Sequence, residues 1–93
     1  MGRCKKNRCC RKLREEKVYK PICIPASTLE ITVIQQDEFE AMRLCDIEGK
    51  NQLEAADKMK ISRGTIQRLL NSGRYKIVNS ILHNKGLKID NNF

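Results

Sequence analysis

The sequence predicts a mostly α-helical fold built on a helix-turn-helix, with two short β-strands and a basic N-terminal arm. Three observations predict it. Helix-capping signals recur at Asp37, Asn51 and Ser62, each followed by apolar residues at helical spacing. Only Lys60, Ile61 and Ser62 separate the second apolar series from the third, with Ala55 and Ala56 standing where the two helices would touch. Short β-branched runs flank the helical segment on both sides. The 93 residues leave room for one small domain, read as 18–93, with 1–17 as the arm.

The elements follow in chain order. Residues 1–17 hold almost no apolar side chain beyond cysteine and Leu13, so a mobile arm is expected. Val18 to Thr28 contains Pro21 and Pro25, each of which disfavours helix at the residue before it, and reads as extended linker. The run LEITVI, Leu29 to Ile34, suits a strand, and GLKID, Gly86 to Asp90, suits a second; the two are expected to pair and to lean on the helices. Asp37 with Glu40 reads as a capping box opening the first helix, which carries Phe39, Ala41, Met42, Leu44 and Cys45 inward and stops near Gly49. Asn51 with Glu54 repeats the box for a shorter helix ending near Met59. Ser62 caps a third that runs to about His83.

The formal charge of +8 is unevenly spread. Residues 1–20 carry nine bases against two acids, residues 30–57 eight acids against two bases, and residues 60–88 seven bases and no acid. Two basic blocks around an acidic one point to a polyanion, because neutralising phosphates releases condensed counterions. With aromatics at 4% and no Trp, stacking on single-stranded bases is disfavoured, which leaves duplex DNA ahead of RNA.

A tight turn needs a small residue at the helix crossing and apolar residues around it; Ala56 is the first, and Met59, Ile61, Ile66 and Leu69 are the second. In such a motif the second helix enters the major groove. On a helical wheel Ile66, Leu70, Gly73 and Ile77 gather on one side and Gly64, Gln67, Arg68, Asn71 and Tyr75 on the other. Arg63, Thr65, Gln67, Arg68 and Asn71 are the candidate base contacts: Arg bonds guanine bidentately, Gln and Asn bond adenine, and a Thr methyl meets that of thymine. Gly64, Lys60, Arg74, Tyr75 and Lys76 are the candidate backbone contacts, together with Arg3, Lys5, Lys6, Arg8, Arg11 and Lys12 of the arm.

The stretch DEFEAMRLCDIEGKNQLEAADKMKISRGTIQRLL resembles the uncharacterised protein family 0251, small predicted DNA-binding proteins, and YKPICIP and HNKGLKI extend the likeness over about residues 18–90. The EAMRLCDIEG segment and the S-R-x-T-x-x-R pattern are its most specific parts. The resemblance implies a three-helix core similar to region four of sigma factors and a DNA-binding, transcriptional role, with no established target. Two features depart from the family pattern. Lys60 stands where the turn usually carries glycine, and the arm is richer in cysteine.

Three of the five cysteines lie in the first ten residues. Cys4, Cys9 and Cys10, with Cys23, are weak metal candidates: there is no C-x-x-C pair, and adjacent cysteines seldom share one tetrahedral ion. Cys45 reads as core, and His83 as a residue of a helix end. No phosphate loop, H-E-x-x-H or G-x-S-x-G is present, so no enzyme and no cofactor is expected. No apolar run is long enough to span a bilayer, and a cytoplasmic protein with reduced thiols is expected. The expected partner is double-stranded DNA. A homodimer, a contact with the transcription machinery and a thiol- or metal-responsive regulator stay open.

Overall fold

In the computed structural model, residues 17–90 are described. The expectations placed on residues 1–16, including the candidate phosphate contacts Arg3, Lys5, Lys6, Arg8, Arg11 and Lys12 and the metal candidates Cys4, Cys9 and Cys10, lie outside the described residues. The order of elements is β1 (Lys17–Tyr19), β2 (Ile31–Ile34), α1 (Gln36–Met42), α2 (Gln52–Met59), α3 (Arg63–Leu82) and β3 (Gly86–Ile89), with a 3₁₀ turn at Ala26–Thr28.

Among the described residues the sheet has three strands, not two. β3 lies between β1 and β2, antiparallel to the first and parallel to the second. The expected pairing of the two β-branched runs holds, in the register Ile31↔Gly86 to Ile34↔Ile89. Being parallel, it needs a crossover, and all three helices supply it. Lys17, read as the end of the arm, and Val18–Tyr19, read as the start of the linker, instead pair with the other side of β3. Three residues are too short to show a period of two, and Pro21 ends the strand by removing a donor.

α1 begins earlier than the Asp37–Glu40 box suggests. A single residue, Gln35, separates β2 from the helix, and its backbone N–H donates to the Glu38 carboxylate at 2.8 Å. Glu40 is not a cap residue: its carboxylate accepts from Arg43 at 2.8 and 2.9 Å. After Met42 the backbone widens into a π-turn over Arg43–Ile47, where Glu48 N–H donates to Arg43 O at 3.1 Å. Gly49, at φ +75°, closes it in the left-handed region as expected.

The remaining caps lie where the sequence places them. Glu54 N–H donates to Asn51 Oδ1 at 2.8 Å, and Asn51 N–H donates back to Glu54 Oε1 at 3.0 Å. Thr65 N–H donates to Ser62 Oγ at 3.1 Å. α2 ends at Met59, Lys60 takes the left-handed conformation (φ 58°, ψ 46°), and Ile61 N–H donates to Ala56 O at 3.0 Å. His83 forms the C-terminal cap of α3.

The core joins the helices to one face of the sheet: Ile34 and Ile89 from the strands, Ala41, Met42 and Leu44 from α1 and its π-turn, Ala55, Ala56 and Met59 from α2, and Ile66 and Leu70 from α3. Gly73 lets α3 approach α1 closely, since a Cβ there would lie 2.7 Å from Met42 Cε. The acids of α1 are not a solvated face. Asp37, Glu38 and Glu40 are all buried. Glu38 accepts from Lys76 Nζ at 2.7 Å and from the Ser72 hydroxyl, tying α1 to α3. Burial of such a carboxylate is tolerable only because it is paired and hydrogen-bonded.

Candidate nucleic-acid interface

The turn and its caps fix how α3 leaves the core. With Ile66, Leu70 and Gly73 buried, the opposite face is forced outward, and Arg63, Gly64, Gln67, Arg68, Asn71, Arg74 and Tyr75 are all exposed. The helix carries four bases and no acid. Among the described residues neither Arg63 nor Arg68 is ion-paired. Thr65 is half-buried. Its hydroxyl lies 2.9 Å from Ser62 Oγ and accepts from Arg68 Nη2 at 3.2 Å, so it orients the Arg68 guanidinium along the helix.

The candidate backbone contacts divide. Lys60 and Gly64 are exposed beside this face of α3. A Cβ on Gly64 would meet nothing closer than 3.8 Å, so the fold does not demand glycine there. Arg74 is exposed but bridged to Asp46, with Nη2 2.5 Å from Oδ1. Lys76 turns inward: its ammonium donates to Glu38 Oε1 at 2.7 Å and to Val33 O at 3.0 Å, binding α3 to α1 and β2. It is held as a tether between these elements, with its side chain about 26% exposed and its ammonium already engaged.

Beside this face lies a cleft of about 470 Å³ between the π-turn, the start of α2 and the first half of α3. Lys50, Arg63 and Arg74 line it, with Asp46, Cys45, Leu70 and the Asn51–Leu53 segment. Lys50 escaped the sequence reading because it sits inside the acidic block; its position after Gly49 and before the Asn51 cap is the signal that could have singled it out. Behind the cleft, Arg43 bridges Glu40 and Glu48. The hydrogen bond with Glu40, chiefly, raises the Arg43 pKa above its usual range, and the bond from Arg43 holds the Glu48 carboxyl below its own. Burial, followed by the Asp46 charge, pushes the Cys45 thiol up. Among the described residues no group of three or more metal-binding side chains comes together; Cys23 is exposed and Cys45 half-buried.

The family model described as "Protein of unknown function DUF134" matches residues 1–91. The chain belongs to this family. Its curated relatives carry the name UPF0251, which bears out the resemblance read from EAMRLCDIEG and SRGTIQR. A UPF0251 protein of Dehalococcoides mccartyi is 48% identical over 84 residues, covering 87% of this chain and 72% of the relative. One from a Thermoanaerobacter species is 39% identical over 72 residues, covering 77% and 64%. One from Caldanaerobacter subterraneus is 42% identical over 72 residues, covering 77% and 61%. The chain thus spans between three fifths and three quarters of these UPF0251 proteins. No solved structure matches it. Among the described residues no helix is long and apolar enough to cross a membrane.

Proposed function

We propose that this UPF0251 protein binds double-stranded DNA sequence-specifically and regulates transcription, with α3 in the major groove. One observation carries the reading: the exposed, acid-free face of α3 that bears Arg63, Gln67, Arg68 and Asn71 directly after a tight left-handed turn. At about 1.5 Å per residue, the 20 residues of α3 form a rod roughly 30 Å long, and its first half is enough to follow a groove about 12 Å wide. Arg63 and Arg68 bond guanine, Gln67 and Asn71 bond adenine, and Thr65 sets the angle of Arg68. Gly64 and Lys60 meet the flanking phosphates. The arm supplies further neutralising charge.

Titration of a duplex against increasing salt tests the reading. Affinity falls linearly on a logarithmic plot, with a slope of about 0.9 per neutralised phosphate, and duplex DNA displaces RNA competitor. Salt-insensitive binding, or preference for RNA, contradicts it.

A second reading draws on Tyr75, Val78, Ile81 and Leu82, exposed apolar residues on the second half of α3. They favour a protein contact within the transcription machinery, placed beside the DNA and not in place of it. Polar replacement of Val78 and Leu82 would then abolish capture of the polypeptide partner and leave duplex affinity unchanged.

A further inference from the structure

We infer that the cleft between the π-turn, the start of α2 and α3 binds a phosphate group carried on a body of nucleotide size. The cleft measures about 470 Å³, within the range of roughly 300–1,000 Å³ usual for small-ligand sites. Three cations converge on it. Arg63 has no ion pair among the described residues, and the Lys50 ammonium has only a loose contact with Glu48 at 3.9 Å. Arg74 is bonded to Asp46 by Nη2 at 2.5 Å and by Nε at the longer distance of 3.4 Å.

Asp46, half-exposed, is the one carboxylate among the lining residues, and Glu48 stands beyond Lys50, so three cations still outnumber the acids and an entering phosphate competes with Asp46 for Arg74. The first two peptide groups of α2, Gln52 and Leu53, precede the first intrahelical bond (Ala55 N–H to Asn51 O) and line the same space. Leu53, Leu70 and the neutral Cys45 thiol give the cleft an apolar wall, which suits the sugar or base of a nucleotide better than it suits a bare ion.

Two sources present this chemistry, the backbone of bound DNA and a free mononucleotide. The first rests on the function proposed above. The second does not, and by occupying Arg63 it would compete with base reading.

Cys45 reports on the cleft directly. In the full chain, alkylation followed residue by residue by mass spectrometry is compared with no addition, with duplex DNA, with adenosine monophosphate and with inorganic phosphate. Occupancy slows alkylation of Cys45 several-fold while exposed Cys23 reacts as before. Lys50→Gln and Arg74→Gln abolish the protection, and Lys50→Gln also lowers the salt slope of duplex binding by about 1. Protection by duplex alone assigns the site to the DNA backbone. Protection by the mononucleotide assigns it to a free ligand, even in a protein that binds no DNA. If neither slows Cys45, or if both variants keep the protection, the cleft is no phosphate site, and duplex binding by the wild-type chain would leave the proposed function standing.

Discussion

Lys60 is the residue where fold and function pull in opposite directions. It holds φ at 58° without being glycine, a conformation that costs an L-residue about 1–2 kcal/mol. Lys60→Gly therefore raises stability by about 1 kcal/mol, read as a higher denaturant midpoint with unchanged slope. Under the proposed function the same change weakens duplex binding, because the exposed ammonium at the mouth of the turn is lost. Gly64 gives the converse case. Its absent Cβ would find open space, so Gly64→Ala leaves the unfolding midpoint unchanged or slightly higher. If a phosphate closes on the first turn of α3, the added methyl group lowers affinity for every duplex alike. Equal affinities for the wild-type chain and the Gly64→Ala variant would remove that contact.

At the scale of elements, the sequence made the helix-turn-helix legible because its signals are local. Asn51, Glu54 and Ser62 cap within four residues, and the Ala56–Lys60–Ser62 turn announces its own geometry. What stayed hidden depends on distant partners. Asp37 and Glu40 imitate a capping box, yet the short passage from β2 puts the cap at Gln35. Lys76 and Ser72, the partners of Glu38, come from a helix more than thirty residues away. Lys76 looks like a phosphate contact for the same reason.

Lys76→Met consequently acts on stability. It leaves Glu38 buried with a lost partner, a penalty of about 1–3 kcal/mol, while the salt slope of DNA binding stays the same; a lowered slope without a stability change would return Lys76 to the interface. The Glu48–Arg43 bond is a smaller, exposed contribution. Because the folded chain holds Glu48 below the ordinary carboxyl value, its stabilisation is complete above that value and fades as the pH drops through the depressed one. Glu48→Gln should therefore lower stability slightly at neutral pH and leave it unchanged in strong acid, so that the acid limb flattens, as thermal melts across an acid series would show.

Across the whole molecule, charge and architecture point the same way. Much of the acidic block is paired with bases of the fold: Glu38 and Glu40, both buried, and Asp46 and Glu48, both exposed, meet Lys76, Arg43 and Arg74. Among the described residues, excess positive charge is left on the outer side of the turn and α3, at Lys60, Arg63 and Arg68. A sum over the sequence reveals the excess but not this sorting, since sorting requires knowing which acids meet which bases in space. The sheet is similar: β2 is declared by its β-branched residues, whereas β1 is three residues made into a strand by the unpaired side of β3.

The most direct test is to select random duplexes with the wild-type chain and with the Arg68→Ala chain and to compare the sequences recovered. The wild type should enrich a short motif containing guanine, and the variant should recover that motif with the preference lost at one base-pair position, a change worth about 1–3 kcal/mol there. Enrichment of no motif by the wild type, or of the identical motif by both chains, would contradict a reading role for α3.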